Sequence, residues 1–457
     1  MAKFGIGQAV RRVEDQRFIT GAGRYVDDIV LPGMAHGVTL LSPHAHARIK
    51  KVDVSKAKAA PGVLLVLTGA DAAADKLGAY TAAMMPEDLG APKGHRIFQQ
   101  VLQAEKVRFV GDRVAFVVAE TQAQARDAAD MIDVDYEPLP AVALLEDAAK
   151  DGAPKVWDDN PNGNVAFVLG FGDEKATDAA FAKAKHVAKL RMENNRLTPV
   201  SMEPRTAIGD YNAAEDHYTL YTSSQNPHGV RAEMAQLLHI AENQVRVVAP
   251  DVGGGFGLKG GSFPDDVLVL WASSKLRRPV KWVATRSESM MTDHTGRDLV
   301  SYGELALDEN GKILAIRSQS LFQIGAYFVG PGMFTGLFSL RFIPEAYDVQ
   351  TMHIVCKGLF TNTPQAGPYR GAGRPEAAYF TERMVEHAAK QMGMEPAELR
   401  RRNLIAPDKF PYHTPTHYVY DSGEFVRLLD KCVDMADWKG YEKRMSMRSL
   451  KMPPNSM

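Results

Sequence analysis

Apolar positions recur along the chain with two different spacings, and the switches between them mark out the elements. β-Branched and aromatic runs predict strands at Val107-Arg108-Phe109-Val110 and at residues 114–118, separated by the turn pair Gly111-Asp112. A helix is expected to open at Thr121, because Gln124 three residues on completes a capping box. Its alanine-rich interior (Ala123, Ala125, Ala128, Ala129) favours helix. Residues 133–136 read as the next strand, stopped by Pro138 and Pro140. Residues 138–165 are rich in Pro, Gly, Asn and Asp, which puts a domain boundary there.

The pattern beyond that boundary is clearer. Strand composition at 217–222 leads to Asn226-Pro227, an N-cap followed by proline, and a helix through Leu238. A buried-type strand at 245–249 precedes a glycine-rich loop, and a helix from Pro264 to about Leu276 returns as a strand at 280–284. Residues 300–307 and 313–321 flank Asp308-Glu309-Asn310-Gly311 as a hairpin. A helix from Pro375 to about Gly393 carries Ala377, Phe380, Met384 and Ala388 on one stripe. The fold class that results is α+β rather than a regular parallel repeat, with no internal repeat at 20–50 residues. Residues 445–457 have no periodicity and read as a loose tail.

Composition narrows the function classes. The 457 residues are 45% apolar and 24% charged, values of an ordinary globular chain. Lys and Arg number 54 against 55 Asp and Glu, so no basic field exists to hold nucleic acid. Two cysteines, Cys356 and Cys432, cannot ligate an iron–sulfur cluster, which needs about four. The first seven residues lack the apolar core of a secretion signal, and no run approaches the ~20 apolar residues of a membrane span. A cytoplasmic location and no membrane span are the resulting expectations.

Three loops carry candidate chemistry. Residues 253–261 hold six glycines in nine positions, which frees the backbone for positive φ and for close approach to a ligand. Gly255-Phe256-Gly257-Leu258-Lys259-Gly260 fits the dinucleotide G-x-G-x-x-G pattern, but the next helix start at Pro264 is too distant for that use. The second loop, Gly367-Pro368-Tyr369-Arg370-Gly371-Ala372-Gly373-Arg374-Pro375, sets two arginines among glycines directly before a helix. The third, Ser223-Ser224-Gln225-Asn226-Pro227-His228, clusters polar side chains between a strand end and a helix start. His44 and His46 would share a strand face, yet with no third ligand nearby they read as hydrogen-bonding rather than metal residues. No G-x-S-x-G, H-E-x-x-H or Walker segment is present.

Taken in order, these segments resemble the molybdopterin-binding subunit of the xanthine dehydrogenase / aldehyde oxidase / carbon monoxide dehydrogenase family. Arg12-Val13-Glu14-Asp15 with residues 20–28 is similar to that family's opening, and Val110-Gly111-Asp112 with residues 134–140 to the close of its first domain. Met202-Glu203-Pro204-Arg205, residues 253–259, His294-Thr295-Gly296-Arg297-Asp298 and residues 369–375 resemble signatures of its first cofactor-binding domain. The resemblance implies an a/b hammerhead domain over 1–150, a first molybdopterin-binding domain over 151–425, and a truncated or divergent tail over 426–457. It also implies roles. Gln225 would donate its side-chain amide to an oxygen ligand of molybdenum, while Gly255, Phe256 and Arg370 would meet the cofactor through their main chain. The implied cofactor is Mo-molybdopterin, in its cytosine dinucleotide form. The implied reaction is hydroxylation with water-derived oxygen, and no metal ligand of this chain's own is expected. Iron–sulfur and FAD groups would lie on partner subunits that carry the electrons away.

Three departures from the family pattern bear on substrate and completeness. Gly371 stands where the carbon monoxide oxidisers carry a copper-binding cysteine, and Gly260 where xanthine-type enzymes carry a glutamate. An aldehyde or an N-heterocycle therefore remains open as substrate. The family's glutamate base, carried on a second cofactor domain, has no counterpart in this sequence, so no catalytic residue is assigned. That domain is expected to be absent from this chain, which is then either a split subunit completed by a separate chain or a truncated reading frame, with an apolar face left exposed. Two readings stay open at this point: a catalytic subunit of a molybdenum hydroxylase, or an inactive truncated or scaffold subunit of the same family.

Overall fold

The computed structural model describes residues 7–441 and 443–445. Six strands precede residue 150: β1 (Ala35–Leu41), β2 (Ala47–Asp53), β3 (Val63–Thr68), β4 (Lys106–Val107), β5 (Arg113–Ala119) and β6 (Asp133–Pro138). Eleven follow among the described residues: β7 (Val165–Gly172), β8 (His186–Asn194), β9 (Thr206–Asn212), β10 (His217–Thr222), β11 (Val245–Val248), β12 (Val280–Val283), β13 (Leu299–Leu307), β14 (Ile313–Gly325), β15 (Met352–Phe360), β16 (Tyr412–His413) and β17 (Val419–Tyr420). One sheet has the order β11-β10-β9-β12-β1-β5-β3, another β7-β15-β14-β13-β8, and a small one β4-β2-β6. The first sheet thus joins strands from both sides of the expected boundary. β1 pairs with β5 antiparallel on one side and with β12 parallel on the other.

Local sequence explains most of the helices that position the site. Helix α1 (Gln122–Asp130) is capped as its sequence predicts, with Thr121 Oγ1 accepting from the Gln124 amide and Gln124 Oε1 accepting from the Thr121 amide. Thr121→Ala is expected to lower stability by about 1 kcal/mol, read as a shift in a urea unfolding midpoint with an unchanged slope. Helix α2 (Pro227–Leu238) starts on the Asn226 cap, whose Oδ1 accepts from the Gly229 amide. Helix α3 (Pro264–Leu276) has no polar stripe over residues 267–272 because it is buried all round. It crosses β9 closely at Gly209, where a Cβ would stand 2.4 Å from the Val269 carbonyl carbon. Helix α4 (Arg286–Thr292) follows β12, capped by Thr285. On helix α5 (Arg374–Met392) the expected stripe is buried, with Phe380 and Met384 packed over Gly303 of β13.

Four sequence expectations need correction or limit. The strand at 107–110 stops at Val107, and Val110 lies in a turn because the chain reverses at Gly111-Asp112 to enter β5. The strand at 245–249 sits at a sheet edge and is only partly buried. His44 and His46 lie in the irregular segment before β2 instead of sharing a strand face. His46 Nδ1 lies 2.8 Å from the Pro140 carbonyl oxygen, and His44 packs on the Tyr136 ring. The loose-tail reading of 445–457 falls outside the described residues beyond Met445.

An unburied apolar face does exist. Helix α6 (Phe425–Met435) is strongly amphipathic yet buries no residue, and Leu428 and Met435 are exposed. Among the described residues it is tied to the rest of the molecule by an Arg401–Asp430 ion pair and an edge contact between Phe410 and Phe425. Among the described residues no helix is long and apolar enough to cross a membrane.

Candidate functional site

The three loops singled out in the sequence meet at one place. Gln225 Oε1 accepts from the Gly257 amide at 2.8 Å, and the Gln225 amide donates to the Lys259 carbonyl at 2.8 Å. On the far side of the glycine loop, the Arg370 amide donates to the Phe256 carbonyl at 2.9 Å. Gly255 faces Gln225, and Gly257 faces Pro368, so closely that a Cβ on either would overlap an oxygen. Gln225, Gly255, Phe256 and Arg370 are therefore neighbours, although they lie up to 145 positions apart in the chain.

Backbone shape explains why glycine dominates. Gly254, Gly257, Gly371 and Gly373 all have φ between +91° and +98°, a conformation that other residues avoid. Phe256 and Ala372 also adopt positive φ, at +53° and +44°, which strains both loops at the point where they touch.

The donors left over define what the place can do. The Gln225 carbonyl is engaged by Gly257, which fixes the side-chain flip and leaves its Nε2 hydrogens without an acceptor among the described residues. The amides of Gly255 and Phe256 likewise have none. Arg370 is exposed and its guanidinium makes no ion pair with a described residue. Such a cluster of free donors beside an exposed cation suits a ligand rich in oxygen or carrying negative charge.

A family profile described as molybdopterin cofactor-binding domain matches residues 156–404. The chain belongs to that family. A second profile, the a/b hammerhead domain of aldehyde oxidase and xanthine dehydrogenase, matches residues 20–140. The carbon monoxide dehydrogenase large chain of Afipia carboxidovorans is 38% identical over 98% of this chain and 55% of its own length. The structure of quinoline 2-oxidoreductase from Pseudomonas putida 86 superposes with a TM-score of 0.91 and 34% identity, over 97% of this chain and 56% of its own. The chain thus spans about half the length of these relatives. A shorter one, the nicotinate dehydrogenase large molybdopterin subunit of Eubacterium barkeri, is 29% identical over 96% of this chain and 98% of its own length. The fold is that of the molybdenum hydroxylase large subunits: a hammerhead domain joined to a molybdopterin-binding domain.

Beneath the family's two loops lie residues whose roles the sequence did not reveal. Under the glycine loop, Lys259 Nζ is 2.9 Å from Glu203 Oε2. Under the arginine loop, Arg297 donates to the Tyr369 and Arg370 carbonyls and to Glu376, while Glu376 accepts from the Gly373 amide. Deeper still runs a buried charge ladder. Asp265 takes a two-pronged contact from Arg113 at 3.0 and 2.6 Å, and Arg205 spans Asp265 and Asp293 at 2.7 Å each. Burial alone would raise the Asp265 carboxyl, but Arg113 and Arg205 outweigh it and hold the group below the usual carboxylate range. Its neighbour Asp266 lacks such partners, and burial pushes it up to about 6. His294, its ring tilted against that of Phe263, is driven down to about 3 by burial and then by Arg205 and Arg113. The short motifs containing Glu203, Arg205 and Arg297 were visible in the sequence, but their partners come from distant segments.

Proposed function

We propose that this chain carries the Mo-molybdopterin site of a molybdenum hydroxylase. The observation that carries the reading is the state of Gln225: its carbonyl is tied to Gly257, so the end left free is a pure donor, flanked by the free amides of Gly255 and Phe256. Those donors fit a group bearing oxo and dithiolene ligands with partial negative charge, and the positive φ values at Gly254 and Gly257 let backbone reach it without a side chain intervening. Among the described residues no group of three or more His, Cys, Asp or Glu could hold a metal ion. When bound, Mo-molybdopterin supplies the two-electron oxidation of a substrate carbon with oxygen derived from water.

Gln225 would donate its side-chain amide to an oxygen ligand of the cofactor. Gly255 and Phe256 would hold the same region through main-chain amides, while the Arg370 amide is spent on the Phe256 carbonyl and its carbonyl on Arg297, so that residue fixes the second loop against the first. The cytosine dinucleotide form of the cofactor is proposed, as are iron–sulfur and FAD partner subunits and a separate chain bearing the second molybdopterin domain and its base. A cytoplasmic setting belongs to the same reading. Gly371 offers no thiol for copper and Gly260 no carboxylate for a purine, which favours an aldehyde or an N-heterocycle. Quinoline and nicotinate, for which two of the relatives are named, are of the latter kind.

The test is to purify the complex that forms on this chain in a host making the cofactor, and to assay molybdenum, pterin and turnover. Stoichiometric molybdenum and pterin are expected. Gln225→Ala is expected to lower turnover by about 10²–10³-fold, the usual effect of removing one preorganised donor, at unchanged thermal stability. A stoichiometric complex devoid of both molybdenum and pterin would establish the inactive-scaffold alternative instead.

A further inference from the structure

The glycine loop holds its shape although its own glycines favour many others, and one buried cation accounts for this. Lys259 is only 1% exposed, whereas a lysine usually keeps its head in water. Its Nζ donates to the Glu203 carbonyl at 3.0 Å, to Glu203 Oε2 at 2.9 Å and to Ser223 Oγ at 2.6 Å, which uses all three ammonium hydrogens. Glu203 Oε2 is also the acceptor for the Ser223 hydroxyl at 2.5 Å and for the Gly253 amide at 2.8 Å. At its other end, the Lys259 carbonyl receives the Gln225 amide at 2.8 Å. A single residue thus ties the end of the glycine loop to its beginning at Gly253, to the β10 end at Ser223, and to Gln225.

We propose that Lys259 is a positioning residue whose buried ammonium, clamped by Glu203 and Ser223, presets the glycine loop and Gln225 for the cofactor. The inference rests on the functional reading above and deepens it by naming what holds those donors in place. An apolar side chain could fill the same volume, but it would leave Glu203 Oε2 with two donors instead of three and Glu203 Oε1, already buried without a partner, on a charged group lacking its counter-ion. The loop between residues 253 and 259 would then be free to sample the other conformations that its glycines allow. Burial lowers the affinity of Lys259 for its proton and Glu203 opposes that effect. Arg297 and Glu376 stand in the same relation to the arginine loop, so each half of the seam has its own buried ion pair.

Hydrogen exchange measured by mass spectrometry on the purified complex, with metal and pterin analysis beside it, tests this. In Lys259→Met the peptides covering residues 250–262 and 223–228 are expected to exchange about tenfold faster or more, while β13 and β14 stay at the wild-type rate. Molybdenum content is expected to fall in parallel. Glu203→Gln keeps the side-chain shape and removes the charge, so it guards against a misfolded first variant and is expected to move the same peptides in the same direction. Lys189→Met, at an exposed lysine on β8, is the control and is expected to change neither readout. Wild-type exchange in both loop peptides of either folded variant would overturn the positioning role. If the wild-type complex itself lacks molybdenum and pterin, the functional reading fails, while the exchange result still decides whether Lys259 presets the loop.

Discussion

Asp265→Asn is expected to lower the free energy of unfolding by about 3–5 kcal/mol, the effect of removing one partner from a buried ion network. Asp265 is 1% exposed and is the shared counter-ion of two arginines that are themselves buried, Arg113 from the hammerhead strand β5 and Arg205 from the turn before β9. An amide keeps the shape and one acceptor but leaves two guanidinium groups facing a neutral partner in a low-dielectric setting. Denaturant unfolding measures it directly: the midpoint should fall with the slope unchanged. Its pH dependence has a definite sign. The folded carboxyl lies below the ordinary value of about 3.9, so its contribution is fully present above that pH and is lost only as pH falls towards the folded value. The wild type should therefore resist mild acid at this network, and the variant should have lost that contribution at neutral pH. A variant within about 1 kcal/mol of wild type would show that the ladder is not a stabilising joint between the two domains.

Gly257→Ala is expected to abolish cofactor retention, with molybdenum content falling by about tenfold or more, a change equal to ~1.4 kcal/mol of binding. Two independent costs meet at this position. Its φ of +98° opposes any side chain, which for a left-handed residue costs about 1–2 kcal/mol. A Cβ would also stand 2.5 Å from the Pro368 carbonyl oxygen, which is backbone of the facing loop and cannot swing away. Relief requires the two loops to part, which breaks the Arg370–Phe256 hydrogen bond between them and shifts Gly257, the donor to Gln225. Gly260→Ala is the matched comparison. It lies three residues away, has ordinary φ, and meets nothing within 4 Å, so metal content and stability should stay near wild type. Equal losses in both variants would mean that the seam between the loops is not what retains the cofactor. The metal and pterin assay of the purified complex gives the answer.

The elements that the sequence reading found correctly are those with strong local signals. The Thr121 cap, the Asn226-Pro227 helix start, the 313–321 half of the hairpin and the stripe on α5 each depend on residues within a few positions of one another. Where the reading went wrong, tertiary context overrode local preference. Val110 has strand composition but serves a reversal, and the His44–His46 spacing suits a strand that only begins at Ala47. The edge position of β11 could not be read from its apolar run, because a buried strand and a half-covered one have the same composition.

Glycine spacing, the arginine loop and the polar cluster at 223–228 mark three candidate loops by themselves, because glycine-dense backbone and polar clusters are written locally; Gln225, Gly255, Phe256 and Arg370 within those loops come from the family resemblance. Only the folded chain decides that these four residues adjoin, since the Gly255–Gln225 and Phe256–Arg370 contacts run across 30 and 114 positions and depend on how β10, the 253–261 loop and α5 are packed. The same holds for Lys259 with Glu203, for Arg297 with Glu376, and for Asp265 with its two arginines. A buried charge is tolerable only beside its partner, and that partner is chosen by the fold, not by the neighbouring sequence.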